Sequence, residues 1–259
     1  MKDQFGLKGK WIWVIGGAGY LGVAVMKRLT ELGAKVICAD LESKAFKLGE
    51  EHGFADKMVP ETLDIGNECA LMEFIATQIK KHGPPDGLVN LAYASTAKKI
   101  EDLSGEEFDA VNHSGLTANF ILGKEMGKAM AAHGGGSVVF FGSMYGMVVP
   151  DPKLYDAPMN PNPIEYGVGK AGIIQMTKYL AMYYGLQNVR FNCISPGPFP
   201  NLEVKKKYPE FIAKLEKKTF LQRTGDANEV SGPVAFLLSD ISSFITGHNL
   251  VVDGGWTGW

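Results

Sequence analysis

Trp11-Ile12-Trp13-Val14-Ile15-Gly16-Gly17-Ala18-Gly19-Tyr20-Leu21-Gly22 is an apolar run, then a glycine-rich turn, then the head of an amphipathic segment. The apolar run reads as a buried strand and the segment from Tyr20 onward as a helix, so the glycines stand at a strand-to-helix junction. Glycines at 16, 19 and 22 permit a tight turn, let backbone N–H groups approach a pyrophosphate, and let the helix pack close to the strand. Such glycines also occur in ordinary strand-to-helix turns. Their place at the first junction predicts a dinucleotide site built on Gly16, Gly19, Tyr20, Leu21 and Gly22.

Outward from this unit, short runs rich in β-branched residues recur at Lys35–Ala39, Gly87–Leu91, Ser137–Phe141, Val189–Ile194 and Asn249–Val252. Helix-like segments separate them at Tyr20–Leu32, Lys44–His52, Glu68–Lys81, Gly105–Ala132, Ile164–Gly185 and Ala227–Leu238. The alternation predicts an α/β fold over residues 1–259: one doubly wound parallel sheet in a three-layer sandwich, with ligands at the C-terminal strand ends. The 259 residues suffice for a single large domain, and no internal repeat is present. Two segments break the rhythm. The proline-rich stretch 148–164 precludes a helix or a central strand and predicts a rigid substrate loop. The Lys- and Glu-rich stretch 198–224 predicts a polar helix outside the core, acting as a substrate lid, with Glu203, Lys205 and Tyr208 as an opposite jaw.

The formal net charge of -2 shows no basic excess, which argues against nucleic acid or an anionic membrane as partner. Lys205-Lys206-Lys207 reads as solvated helix surface. Cys38, Cys69 and Cys193 are odd in number and widely spaced, so buried reduced thiols are expected, with no disulfide framework, no metal site and a cytoplasmic setting. No run of signal-peptide or membrane-spanning length is seen.

The second strand ends at Asp40, the offset at which a carboxylate accepts hydrogen bonds from the adenosine ribose and repels a ribose phosphate. NAD is therefore favoured over NADP, with Lys44 close enough to blur the choice. Asp64 and Ile65 would meet the adenine, and a turn role for Asp64 is equally open. Further on, Ile164-Glu165-Tyr166-Gly167-Val168-Gly169-Lys170 places Tyr166 and Lys170 on one helix face. A buried ammonium beside a phenol would pull its pKa down toward the range of an acid/base catalyst, although a tyrosine packed on a lysine stem has the same spacing.

Gly16-x-x-Gly19-x-x-Gly22, Asp64-Ile65, Asn90-Leu91-Ala92, Asn112, Ser143, Tyr166-x-x-x-Lys170, Ser195-Pro196-Gly197 and Val252-Asp253-Gly254-Gly255 follow in order along the chain. In this set the chain resembles the short-chain dehydrogenase/reductase family, single-domain type. The Pro-rich insert and the Trp-containing ending are similar to the flagellin modification protein A group, associated with acidic and amino sugar biosynthesis. The resemblance implies a Rossmann-type fold, a homotetramer or homodimer, and roles for named residues. Tyr166 would exchange the proton while hydride moves to or from nicotinamide. Lys170 would lower the Tyr166 pKa and hold the nicotinamide ribose. Ser143 would bond the reacting oxygen, and Asn112, inside the long fourth helix, would hold a water for proton relay. Asn90, Ala92, Pro196, Gly197 and Phe199 would complete the cofactor site.

The chain also departs from the family pattern. Ile15 stands where a threonine is usual, and the glycine spacing matches the longer branch of the family. Tyr93 follows Asn90-Leu91-Ala92 where the family has glycine, putting a bulky ring near the cofactor. Asn201 stands near the usual carboxamide-contacting threonine.

The long interval from Ser143 to Tyr166 carries Tyr145, Asp151, Lys153, Tyr155, Asp156, Asn160 and Asn162. That mixture suits a carbohydrate-like substrate better than a steroid or fatty acyl chain. The expected function is hydride transfer between NAD and a secondary alcohol or ketone of a sugar or sugar derivative. The alternatives are a sugar-nucleotide epimerase or dehydratase, and a non-catalytic NAD-binding regulatory protein. Oligomerisation is expected from the apolar surface of the two longest helices and from Trp256 and Trp259.

Overall fold

The computed structural model describes residues 5–54 and 56–259. Among them, Trp11–Ile15 (β1), Lys35–Asp40 (β2), Met58–Thr62 (β3), Gly87–Asn90 (β4), Gly136–Phe141 (β5), Val189–Pro196 (β6) and Asn249–Val252 (β7) form one sheet in the order β3-β2-β1-β4-β5-β6-β7. Every neighbouring pair is parallel. The order reverses between β1 and β4, which opens a crevice at their C-terminal ends, the place where doubly wound sheets take ligands.

Alternation along β1 sends Ile12 and Val14 to one face and Trp13 and Ile15 to the other. The first face is covered by Tyr20–Glu31 (α1), Lys44–His52 (α2) and, from the C-terminal part, Asn228–Leu238 (α9). The second is covered by Glu68–His82 (α3), Ala118–Ala131 (α5) and Ile164–Tyr184 (α6). Both faces are thus buried, which explains why the strands read as continuous apolar runs.

Four departures from the sequence reading have physical reasons. β3, absent from the expected strands, carries Pro60 and Glu61, which break an apolar run; it is an edge strand paired only with β2, so Pro60 costs no ladder bond. The expected helix Gly105–Ala132 is Gly105–Asn112 (α4), a π turn at His113–Thr117, and then α5. Cys69 is exposed, lying on the outer side of α3, whereas Cys38 and Cys193 are buried; all three are free thiols. The single polar helix expected near 198–224 is a pair, Leu202–Lys207 (α7) and Pro209–Lys218 (α8). Ile212 and Leu215 of α8 bury against Leu154, Tyr145 and Trp256 in a small third cluster, so this segment is joined to the Pro-rich loop. Ion pairs Lys218–Asp151 (2.7 Å) and Lys214–Asp156 (2.6 Å) reinforce the junction. Trp256 is buried there, while Trp259 is exposed and its Nε1 donates to Lys218 O.

Candidate functional site: a dinucleotide cleft beside a neutral pocket

At the switch point two adjoining cavities, about 300 and 350 Å³, share Gly16, Gly19, Leu91 and Tyr93. The first is bordered by Asp40, Lys44, Asp64, Ile65 and Ala92, the second by Tyr20, Leu21, Gly22, Ser143, Tyr166, Lys170, Pro196, Gly197 and Phe199. All the residues expected to hold cofactor, except Asn90, therefore line one continuous cleft.

The residues present fit a dinucleotide. Gly16 has φ +78°, and a Cβ there would stand 2.7 Å from Ala92 N; a Cβ at Gly22 would stand 2.4 Å from Gly16 O. These two glycines let chain segments touch. Gly19 differs: a Cβ would meet only Gly16 O, at 3.4 Å, and the space it leaves belongs to the cleft. α1 starts without a side-chain cap and without an acidic residue in its first turn, so its N-terminal N–H groups and positive dipole end are open to an anion.

Asp40 is tied into this loop. Its Oδ2 accepts from Ala18 N (2.9 Å) and its Oδ1 from Leu41 N (2.8 Å), which fixes the carboxylate and leaves further lone pairs for a ribose. Asp64 serves as a turn residue, its Oδ1 accepting from Gly66 N (2.9 Å), and still borders the cleft. Asn90 lies behind the wall: its Oδ1 accepts from Ala92 N (3.1 Å) and its Nδ2 donates to Asn119 Oδ1 (3.0 Å). Asn119 in turn donates to Gly115 O (2.8 Å) in the π turn. Asn90 therefore braces the loop after β4, and Asn119 is its partner, a pairing no spacing in the sequence announces.

Ser143 follows β5, is buried, and its Oγ accepts from Tyr145 N (3.1 Å), capping a short turn. Tyr166 and Lys170 lie one turn apart on α6. Lys170 Nζ donates to Phe141 O (2.8 Å), lies 4.1 Å from the Tyr93 ring centroid and 5.5 Å from that of Tyr166. Burial pushes the Lys170 ammonium down to about 7, with Cys193 opposing. Burial also raises the Tyr166 phenol, with Ser143 pulling the other way. In this arrangement the ammonium bonds the end of β5, and desolvation is the largest influence on both groups. Asn112 ends α4 outside the lining of the cleft; its Nδ2 donates to Phe108 O (2.9 Å), and its buried Oδ1 has no hydrogen-bond partner among the described residues.

Glu165, fully buried beside Tyr166, is the acid that sequence reasoning passed over. Its Oε1 accepts from Thr96 N (3.0 Å) and Thr96 Oγ1 (2.7 Å), clamping the loop after β4 to the start of α6.

A family model described as enoyl-(acyl carrier protein) reductase matches residues 17–257. The chain belongs to the short-chain dehydrogenase/reductase family. It is similar to an NAD-dependent glycerol dehydrogenase of Listeria innocua serovar 6a, 30% identical with 98% of this chain and 96% of that protein covered. It is also similar to a 7alpha-hydroxysteroid dehydrogenase of Bacteroides fragilis, 28% identical with 96% and 94% covered. Among solved structures, a short chain dehydrogenase from Leptospira borgpetersenii with bound NAD+ superposes with a TM-score of 0.84 at 32% identity, covering 97% of this chain and 94% of the other. This short-chain dehydrogenase/reductase is accordingly an oxidoreductase of alcohols and ketones, and its family binds NAD(H) or NADP(H). Among its described residues there is no cluster of three metal-ligating side chains and no helix long and apolar enough to cross a membrane.

Beside Ser143 a third cavity of about 570 Å³ adjoins the cleft through Gly197 and Phe199. Its wall comes from the Pro-rich loop (Tyr155, Met159, Asn160, Asn162), from the α7–α8 segment (Val204, Tyr208, Phe211, Leu215) and from Tyr145, whose phenol lies 2.7 Å from that of Tyr155. Among the described residues this wall carries no Lys, Arg, His, Asp or Glu. Asp151 and Asp156, expected to meet substrate hydroxyls, are instead paired with Lys218 and Lys214. Of the expected jaw, Tyr208 lines the cavity and Glu203 and Lys205 do not.

Proposed function

We propose that this enzyme transfers hydride between NAD(H) and the secondary alcohol or ketone of an uncharged polyol or sugar. The observation that carries the reading is the pocket that adjoins the Ser143–Tyr166 cleft through Gly197 and Phe199: its own wall offers phenols, amides and aromatic faces and no charged side chain, which suits a neutral, hydroxyl-rich substrate better than an ionic one. Asp40, with its carboxylate fixed at the adenosine end, supports NAD over NADP. The glycerol dehydrogenase relative supports a polyol. The likeness to the flagellin modification protein A group implies acidic and amino sugars; the wall has no counter-charge for either ion, so within that group the substrate we propose is an uncharged derivative.

In this reading the nicotinamide cofactor supplies or accepts the hydride. Tyr166 gives its phenol proton to the substrate oxygen on reduction and takes it on oxidation. Ser143 Oγ donates a hydrogen bond to that oxygen as charge develops on it. Lys170, within one turn of Tyr166, holds the nicotinamide ribose and supplies positive charge beside the phenol. Asn112 connects this group to the proton path. The loop 148–164 and the segment 198–224 act together as substrate wall and lid.

The test is absorbance at the nicotinamide band with NAD and NADP against polyols, free sugars, sugar phosphates, nucleotide sugars and a hydroxysteroid. Turnover of a neutral polyol or sugar with NAD is expected. Selective turnover of a phosphorylated substrate or of the steroid would refute the reading. We further propose that copies of the chain associate through α6, where Ile164, Val168, Tyr179, Met182 and Tyr183 are exposed at helical spacing. Tyr179→Glu is expected to lower the mass seen by sedimentation; an unchanged mass refutes that surface.

A further inference from the structure

Tyr93 has a slot made for it. A Cβ at Gly115, in the π turn, would fall 2.3 Å from Tyr93 Cε2, and one at Gly169, on α6, would fall 1.8 Å from Tyr93 Oη. Two glycines on separate elements therefore admit this one ring. Its edge-to-face contact with Tyr166 has centroids 5.4 Å apart at 86°, and its face lies 4.1 Å from Lys170 Nζ. A desolvated ammonium at that distance from a ring gains from the ring quadrupole.

The hydroxyl is the second observation. Tyr93 Oη and Asn112 Oδ1 are both buried without a hydrogen-bond partner among the described residues. They face one another across Gly169, whose Cβ would stand 3.0 Å from Asn112 Oδ1. A phenol needs an acceptor and an amide oxygen needs a donor, so the two orphaned atoms are chemically complementary. Burial, with Tyr166 and Glu165 adding to it, raises the Tyr93 phenol far above its ordinary value, so it stays a donor throughout the working range.

We propose that Tyr93 is a positioning residue for Lys170: its hydroxyl donates to Asn112 Oδ1, directly or through one water, and this fixes the ring whose face seats the ammonium beside Tyr166. The charged and titratable groups around the ring are Lys170 and Tyr166 on α6, Glu165 on the same helix and, behind Lys170, Cys193 of β6.

The test needs no substrate. NADH binding is followed by energy transfer from the tryptophans as a function of pH in wild type, Tyr93→Phe, Tyr93→Leu and Asn112→Ala. Lys170 borders the cleft, so NADH affinity is expected to fall as the ammonium titrates. Tyr93→Leu removes the ring face, and the midpoint of that fall is expected to drop by about one pH unit. Tyr93→Phe keeps the face and is expected to hold the wild-type midpoint within a few tenths of a unit. Urea unfolding supplies the second arm: Asn112→Ala is expected to cost less in Tyr93→Phe than in wild type, because the bond it breaks is already gone. An equal midpoint in wild type and Tyr93→Leu overturns the seating of Lys170, and additive unfolding costs overturn the bond to Asn112. If Tyr93→Leu fails to fold, Tyr93→Met, which fills much of the slot without a π face, takes its place; an unmoved midpoint there overturns the proposal.

Discussion

The same substitution, glycine to alanine, is expected to have opposite outcomes at two helical positions. Alanine in place of an unconstrained helical glycine adds about 0.4–1 kcal/mol of stability, mainly by restricting the unfolded chain. Gly185, at the end of α6, has φ -60° and ψ -38°, and a Cβ there meets nothing within 4 Å among the described residues. Gly185→Ala is expected to raise stability by that amount. At Gly22 the Cβ would lie 2.4 Å from Gly16 O, 2.6 Å from Gly17 O and 2.7 Å from Gly17 C. All three are backbone atoms of the cofactor loop, so relief requires moving α1 away from the loop by about 1 Å, since ordinary contacts begin near 3.5 Å. Overpacking of this kind costs about 1–3 kcal/mol, which exceeds the helical gain. A displacement of that size in a site that must present N–H groups to a pyrophosphate can cost about a hundredfold in function. Urea unfolding and NADH titration of both variants provide the assay. Gly22→Ala with wild-type NADH affinity would show that the loop is not the phosphate cradle, and equal stability changes in the two variants would refute the contact reasoning.

Tyr166→Phe is expected to lower turnover by at least about a hundredfold while NADH affinity stays within severalfold, since only the proton carrier is lost; retained turnover in stopped-flow assays contradicts its role. Asp40→Ala is expected to erode the preference for NAD over NADP, read as the ratio of kcat/KM for the two cofactors; an unchanged ratio means that the ribose is read elsewhere. Lys170→Met addresses burial. The folded pKa of Lys170 is lowered to about 7, so between there and its ordinary value the unfolded chain binds more protons and stability rises with pH; below about 7 the burial cost is fully present. Lys170→Met is therefore expected to stabilise by a few kcal/mol at pH 6, a gain that shrinks steadily toward pH 10. Urea unfolding across that range checks it, and a pH-independent difference contradicts the linkage.

Six strands and the helices that cover them were legible because both sheet faces are buried, and burial on two sides writes continuous apolar runs into the sequence. β3 was not, because an edge strand paired on one side tolerates Pro60 and Glu61. The π turn left no mark that pattern reasoning reads, since His113–Thr117 continues the helical register on both sides. Within the site, the glycine loop, Asp40, Ser143, Tyr166 and Lys170 come together on one cleft because each sits at a strand end or helix start that the alternation already defined. Asn119, Glu165 and the paired glycines of the Tyr93 slot were missed because their partners are far along the chain. The sequence flagged a bulky ring at Tyr93 without showing that Gly115 and Gly169 accommodate it.

The charge of the pocket wall is a tertiary property that loop composition does not give. The loop 148–164 carries Asp151, Lys153 and Asp156. The fold brings α8 across this loop so that Lys218 and Lys214 each take one of the two acids, leaving the phenol pair Tyr145–Tyr155 and the amides of Asn160 and Asn162 toward the cavity. These pairs are solvent-screened, so each contributes little to stability. They hold the loop to α8 and pair its two carboxylates with lysines. In the proposed reading, selectivity for uncharged substrates therefore resides in the register between two segments more than fifty residues apart.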